Sequence, residues 1–393
     1  ISFDHILSNS TFYNLDISYI HLKDLARGPA AWRDTTTIRR FGNYPIDEVP
    51  YGYWFFGGHH RMVDNQVYQG GGAGARNWSE TNTVNVKFDL TSQINRFHQI
   101  KTGFNYNYDD LYSHYEHVRM DLPVQTWKVQ WQQYPSRLGA YIQDKMEFQG
   151  LIANLGFRLD YNEPNTDWYL VDPYSEYFRP TYRDNFTDVA PTEEAKGHIK
   201  ISPRVGISHP ITATAKLYFN YGHFYSMPTS NSMYEIDYGN PNTGISGLGN
   251  PSIDLPRTVA YELGFEQEVA GMYLIHLSGY YKDVTNQTAE VGYENYDATV
   301  SYTTYANQNY EDIRGFELRV EKRYGRWVTG WLNYDYRVET SGYIGREQYY
   351  QDPRQQALYG LRNPYQEKPL VRPVARANVR IHTPEDFRPT LRG

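Results

Sequence analysis

The stretch at residues 84–90 reads Val84-Asn85-Val86-Lys87-Phe88-Asp89-Leu90. Apolar residues occupy every second position, and the positions between them are polar or charged. Side chains alternate between the two faces of a β-strand, so this period predicts a strand with one apolar and one polar face. The polar face carries both Lys87 and Asp89, and charges of both signs are costly to bury in a packed core. We therefore expect that face to be hydrated.

The same period returns along most of the chain, for example at residues 151–161, 259–266 and 316–321. It predicts one large antiparallel sheet of about twelve strands. The predicted strands lie near residues 9–26, 82–94, 98–118, 136–148, 151–163, 199–210, 214–226, 257–269, 272–286, 302–323, 327–340 and 373–382.

The connections between these strands are of two kinds. The short ones contain Asn95-Arg96-Phe97, Gln149-Gly150, Thr212-Ala213, Ala270-Gly271 and Gly325-Arg326. The long ones are rich in aromatic residues, Asn, Pro and Gly, and lie near residues 28–80, 119–135, 164–198, 227–256, 287–301 and 341–372. Short turns at one end and long loops at the other are typical of an outer-membrane β-barrel, whose apolar face meets lipid. A soluble β-sandwich with long loops at one end is the alternative.

Composition narrows the classes of protein further. No stretch approaches the roughly 20 apolar residues of a transmembrane helix, which excludes a helical membrane protein. The net charge of −7 argues against a nucleic-acid partner, and the absence of cysteine excludes disulfides and thiolate metal sites. The 39 tyrosines suit both the aromatic girdles of a membrane barrel and stacking surfaces in loops.

Five ordered motifs between residues 136 and 340 resemble the barrel of TonB-dependent outer-membrane receptors. They are Leu138-Gly139-Ala140-Tyr141-Ile142-Gln143-Asp144-Lys145 with the strand at 150–161, Ser202-Pro203-Arg204-Val205-Gly206 with residues 216–228, Gly249-Asn250-Pro251 with Tyr261-Glu262-Leu263-Gly264-Phe265-Glu266, Tyr280-Tyr281-Lys282-Asp283-Val284, and Arg314-Gly315-Phe316-Glu317-Leu318. The long aromatic loops favour the branch of the family that carries a carboxypeptidase-like regulatory domain.

The resemblance implies a barrel of about 22 strands that imports a scarce, bulky nutrient of the siderophore, glycan, peptide or cobalamin class. It implies a plug domain through which the TonB-ExbB-ExbD complex supplies energy, contact with outer-membrane lipid, and room for a surface lipoprotein. Residues 1–393 are expected to form an interior portion of one barrel domain, without the plug and the terminal strands. The alternative is a plugless barrel that anchors other components at the surface.

The resemblance and the alternation together assign charged residues to the lumen. The expected lumen-lining residues are Asp144, Arg158, Asp160, Arg204, Glu262, Glu266, Glu317, Arg319 and Glu321. Charges of opposite sign on neighbouring strands can satisfy one another there. None of these residues is expected to be catalytic.

One long loop gathers the candidate ligand-binding residues Tyr53, Trp54, Phe55, Phe56, His59 and His60. Its rings could stack on a flat ligand or a sugar, or they could form a girdle or pack the loop. The His59–His60 pair could coordinate iron or haem, or the two could be ordinary surface histidines. A metal site would need further ligands, and adjacent histidines point in different directions on a strand, so we expect no metal site here and no cofactor. No nucleophile motif such as Gly-x-Ser-x-Gly occurs, and we expect no enzymatic activity.

Overall fold

The computed structural model describes residues 1–26, 38–41, 44–47, 62–63, 66–67, 75–117, 127–238, 243–360 and 369–383. The strands within them are β1 Ser2–Ser8, β2 Thr11–Ala26, β3 Ile38–Phe41, β4 Tyr44–Asp47, β5 Met62–Val63, β6 Gln66–Val67, β7 Ala75–Gln93, β8 His98–His117, β9 Trp127–Gln133, β10 Ser136–Phe148, β11 Leu151–Glu163, β12 Asp167–Tyr169, β13 Thr192–Glu194, β14 His198–Thr212, β15 Ala215–Tyr225, β16 Ile236–Asp237, β17 Gly247–Leu248, β18 Arg257–Val269, β19 Tyr273–Glu294, β20 Ser301–Lys322, β21 Val328–Tyr343, β22 Gln348–Tyr350 and β23 Leu370–Ile381.

The long strands form one antiparallel sheet in which sequence neighbours pair. The order across this wall is β1, β2, β7, β8, β10, β11, β14, β15, β18, β19, β20, β21 and β23. Strand β9 also pairs with β8, so β9 and β10 act as one strand interrupted at Tyr134 and Pro135. The predicted all-β, antiparallel architecture is confirmed.

The register keeps the two chemical faces apart. Val86 lies opposite Tyr106, while Lys87 lies opposite Asn105 on the other face. Large side chains on the apolar face remain exposed within the chain, as Phe157 at 61% and Leu263 at 55% show. This exposure is the expected condition of a face that contacts another apolar phase instead of a protein core.

The structure departs from the predicted strands at several points. Strands β1 and β9 and the short strands within the long connections were not predicted, and β7 begins at Ala75 and not near residue 82. Strands β19 and β20 extend further than expected, so that residues 295–300 alone connect them. The register of this pair shifts between Val284 and Thr288, and Asn286 adopts a φ of 57°. Such a bulge breaks the two-residue period, which is why the pattern ended there although the strand continues.

The long connections at one end pack together into a unit that we call the loop cap, made of residues 164–197, 226–238, 243–256 and 295–300. It contains β12, β13, β16, β17, two short 3-10 helices and the helices α1 Phe186–Val189 and α2 Ser230–Tyr234. A further helix, α3 Pro353–Leu358, follows β22. The cap is centred on a buried core of Trp168, Phe178, Phe186, Ala190, Ala195, Met233, Tyr234, Ile245, Leu248, Ile253, Val300 and Tyr302. None of the described helices is long and apolar enough to cross a membrane.

Candidate functional site

The polar face of the sheet curves around a cavity of about 1190 Å³. The residues that line it extend from Lys101 on β8 to Arg376 on β23. A lining drawn from so many neighbouring strands means that the polar face is concave. A cavity of this volume is large enough for a ligand of considerable size.

The eight charged residues assigned to the lumen on β11, β14, β18 and β20 all lie on this concave face. Arg158, Arg204, Glu262 and Glu317 line the cavity itself. Several of them form ion pairs: Arg158 with Asp160 at 2.8 Å, Glu266 with Lys216 at 3.2 Å, and Arg319 with Glu321 at 3.6 Å. Whether a solute contacts them stays a prediction.

Asp144 does not share that face. In the register of β10 it lies opposite Leu155 and Ile100, which belong to the apolar face. There it pairs with His98, whose Nδ1 lies 2.8 Å from Oδ2 of Asp144, close to the short turns. The expectation that Asp144 lines the lumen is wrong, because Tyr141 and Gln143 occupy the alternate positions that face the cavity.

The candidate ligand-binding residues Tyr53, Trp54, Phe55, Phe56, His59 and His60 lie outside the described residues. Their role stays a prediction. Within the part of the chain that the structure describes, no group of three or more His, Asp or Glu side chains could hold a metal ion.

A column of aromatic rings runs through the loop cap. Phe178 is 1% exposed and stacks on Tyr302, with ring centroids 4.0 Å apart and an interplanar angle of 10°. Tyr302 in turn stacks on Tyr293, and Phe178 contacts Phe186 at 5.5 Å. The column joins residues of the loop after β11 to the ends of β19 and β20, so the cap is anchored on the sheet.

Tyr234 at the end of α2 lies on the other side of the cap core. Trp131 and Trp168 contact its ring, with centroids 5.6 and 6.3 Å away. The indole N–H of Trp168 donates to the carbonyl oxygen of Gly249 at 2.7 Å. Burial raises the pKa of Tyr234, so its hydroxyl stays neutral. Trp131 on β9 thus packs against the core of the loop cap.

Residues 2–387 match the family model described as TonB dependent receptor-like, beta-barrel. The chain belongs to this family. Its members are receptors of the outer membrane and not enzymes. No curated protein sequence matches the chain.

Solved structures of TonB-dependent transporters share the fold at low sequence identity. The FrpB iron transporter from Neisseria meningitidis is 14% identical with a TM-score of 0.50, and the match covers 84% of this chain and 42% of that one. The ferric yersiniabactin uptake receptor FyuA from Yersinia pestis is 11% identical with a TM-score of 0.50, covering 86% and 41%. The chain therefore spans less than half the length of these receptors.

Membership of the family shows which face of the sheet meets lipid and which end of the strands points outwards. The apolar face of the sheet contacts outer-membrane lipid, and the concave polar face lines the lumen. In barrels of this kind the short turns lie on the periplasmic side and the long loops outside. The loop cap therefore lies at the external end of the barrel wall.

Asp254 fastens the loop cap to the barrel wall. Its carboxylate lies 2.5 Å from Lys200 Nζ and 3.4 Å from His198 Nδ1, both on β14. Its backbone N–H donates to Oδ1 of Asn307 on β20, and Nδ2 of Asn307 donates back to the Asp254 carbonyl, each at 2.8 Å. Burial opposes ionisation of Asp254, but hydrogen bonds from Lys200 and the Leu255 N–H outweigh it and lower its pKa.

Acid is expected to loosen this attachment. The pKa of Asp254 is lower in the folded state, so its contribution to stability is complete above its ordinary pKa of about 3.9 and is lost as the pH falls through the lowered value. Amide hydrogen exchange of residues 250–256, corrected for the intrinsic effect of pH, should quicken below about pH 4. Asp254→Asn should show fast exchange already at pH 7 and little further change in acid.

Asp184 supplies the control for this experiment, because its side chain is 94% exposed in the same cap. Asp184→Asn should follow the wild-type curve. A wild-type profile that is flat down to pH 3 would mean that the carboxylate of Asp254 does not hold the cap.

Two groups of residues were missed by sequence reasoning. The cap core residues Phe178 and Phe186 lie in loops without periodicity, so nothing in the sequence marked them as buried. Lys101 and Lys282 were placed on strands but not assigned to the lumen. The alternation around Lys101 contained that signal, since Phe104, Tyr106 and Tyr108 occupy the other face.

Proposed function

We propose that the complete receptor imports a solute too large for porins across the outer membrane, with energy supplied through TonB. The observation that carries this proposal is the family match over residues 2–387. A hydrated, concave face with a cavity of about 1190 Å³ supports it, because a transported solute needs a polar surface along its path. The solute is proposed to be a siderophore, a glycan, a peptide or a cobalamin.

The likeness to solved structures supports the fold and leaves the solute open. FrpB is described as an iron transporter, FyuA as a ferric yersiniabactin uptake receptor, and OprC, 11% identical with a TM-score of 0.50, as a copper transporter. We propose that the remaining length of the receptor includes a plug on which the TonB-ExbB-ExbD complex acts. A surface lipoprotein that closes over the mouth is a further proposed partner.

Nutrient-limited growth tests the transport proposal. Deleting the receptor gene in the source bacterium should abolish growth on at least one large nutrient from a panel of ferric siderophores, cobalamin, oligopeptides and oligosaccharides. Deleting tonB should abolish growth on the same nutrient, because uptake by this route needs energy from the inner membrane. Growth on small nutrients that pass through porins is the control and should not change.

The anchoring alternative has a different outcome in the same strains. If the receptor deletion removes other surface proteins from the outer membrane while tonB deletion has no such effect, the barrel is a structural component and the transport proposal fails.

A further inference from the structure

One row of residues across the concave face carries three cations and no acid. Following the register from β8 to β19, each residue lies directly opposite the next, and all of them line the cavity. The row reads Lys101, Gln143, Gly156, Arg204, Gly222, Ala260 and Lys282. We call Lys101, Arg204 and Lys282 the cation row.

The three cations are evenly spaced. Three strand steps separate Lys101 from Arg204, and three more separate Arg204 from Lys282. Neighbouring strands lie about 4.8 Å apart, so each interval is about 14 Å along the sheet. The whole row therefore spans about 28 Å before the curvature of the wall is considered.

Three of the four residues that separate the cations have little or no side chain. Gly156, Gly222 and Ala260 leave little or no side chain between Arg204 and its neighbours on either side. At Gly222 a Cβ atom would lie 3.1 Å from the Phe224 ring and 3.5 Å from Cγ of Arg204, so a larger residue would crowd both. The Phe224 ring in turn lies 4.9 Å from the guanidinium carbon of Arg204 and supports it. The Phe224 ring thus occupies the space above Gly222, and Gln143 places a longer side chain between Lys101 and Gly156.

No carboxylate within the described residues forms an ion pair with any member of the cation row, and all three side chains are exposed to the lumen. Two of the nearby acids have other partners, while Glu317 also lines the cavity. Asp89 lies 2.7 Å from Lys87 and accepts a hydrogen bond from Tyr141 at 2.6 Å. Glu262 accepts hydrogen bonds from Tyr218 and Asn220 at 3.0 and 3.1 Å.

Cations on either side of the cation row, towards the loops and towards the turns, do have carboxylate partners. Towards the loops, Arg158 is paired with Asp160, and Lys200 is paired with Asp254. Towards the turns, Lys216 is paired with Glu266. These neighbouring cations thus have their charge balanced by a carboxylate, whereas no member of the cation row has a carboxylate within ion-pair distance among the described residues. A concave surface lined by one sign of charge concentrates ions of the opposite sign.

We propose that the cation row binds an extended polyanionic solute, an oligomer that carries carboxylate or phosphate groups along its length. This rests on the proposed transport function, of which it names the substrate class. An oligomer that lies along the cation row contacts all three cations at once. After its first contact, each further contact forms at a high effective concentration, which raises the overall affinity. A short anion reaches only one cation and binds far more weakly.

Binding to the purified full-length receptor tests the proposal without any transport step. The probes are hexagalacturonate, a linear hexaphosphate, neutral maltohexaose and monomeric galacturonate, each titrated calorimetrically at low and at high salt. At least one hexameric anion should bind, with an affinity that falls as salt rises. Maltohexaose and the monomer should bind at least about tenfold more weakly, equal to about 1.4 kcal/mol.

Substitutions test whether the cation row is the binding site. Arg204→Gln should lower the affinity for the hexameric anion by about tenfold, and the triple variant K101Q/R204Q/K282Q should abolish its binding. Lys216→Gln is the matched control, because it removes one cation from the same face where a carboxylate already pairs with it. Arg204→Glu should lower the affinity for the hexameric anion further and should raise the affinity for a chitosan hexamer, which is a cation.

Two outcomes would overturn the proposal. They are equal binding of the hexameric anion by wild type and triple variant, and no binding of either anion at low salt. A loss of thermal stability in a triple variant of unchanged affinity would assign the cations to contacts with another part of the receptor, such as the plug. These outcomes are independent of tonB, so they are distinguishable from failure of the transport proposal.

Discussion

Replacing Phe178 by alanine is expected to open the loop cap. The side chain is 1% exposed, stacks on Tyr302 at 4.0 Å and contacts Phe186, so its removal leaves a cavity at the centre of the core. Truncation of a buried phenylalanine costs about 3–5 kcal/mol. We expect the free energy of opening of residues 164–197, measured by amide hydrogen exchange in detergent or lipid, to fall by about that amount.

The barrel wall should not share this loss. Its strands pair with one another through the register described above, and Phe178 contacts only the ends of β19 and β20 through Tyr302. Exchange in β10 and β11 should therefore be unchanged. Leu170→Ala is the control, because Leu170 lies in the same loop and is 64% exposed. An effect of Leu170→Ala as large as that of Phe178→Ala would contradict a cap held by its buried core.

Arginine at position 155 is expected to destabilise the receptor in lipid, whereas arginine at position 154 is expected to be tolerated. Leu155 lies on the apolar face of β11 and is 41% exposed, while its neighbour Asn154 lines the cavity. Arginine on the lipid face of a membrane barrel costs about 2–4 kcal/mol at the bilayer midplane and about 0–1 kcal/mol near the interfaces. An arginine in the hydrated lumen keeps its contact with water.

This pair of variants differs only in the face that receives the charge. The measurement is the free energy of unfolding from lipid vesicles, by denaturant titration of the full-length receptor. Leu155→Arg should lower it by about 1 kcal/mol, because position 155 lies towards the short turns and opposite Asp144, and Asn154→Arg should change it by much less. Equal losses, or a larger loss for Asn154→Arg, would reverse the assignment of the two faces.

Much of the wall was predictable because a β-strand exposes alternate residues to opposite faces. That single rule placed β10, β11 and β18 at their observed bounds. It failed where the period breaks, as at the bulge near Asn286, which hid the outer parts of β19 and β20. It also cannot be applied by residue type alone, since Asp144 is charged yet belongs to the apolar face.

The sequence by itself determined the sheet, its two faces and the resemblance to TonB-dependent receptors, since alternation and short motifs are local properties of a chain. The tertiary structure alone decided which distant residues meet. The loop cap depends on contacts such as Phe178 with Tyr302, between segments that no local pattern connects. The cation row depends on the register of seven strands, because a shift of one residue in any pairing moves a side chain to the other face and breaks the row.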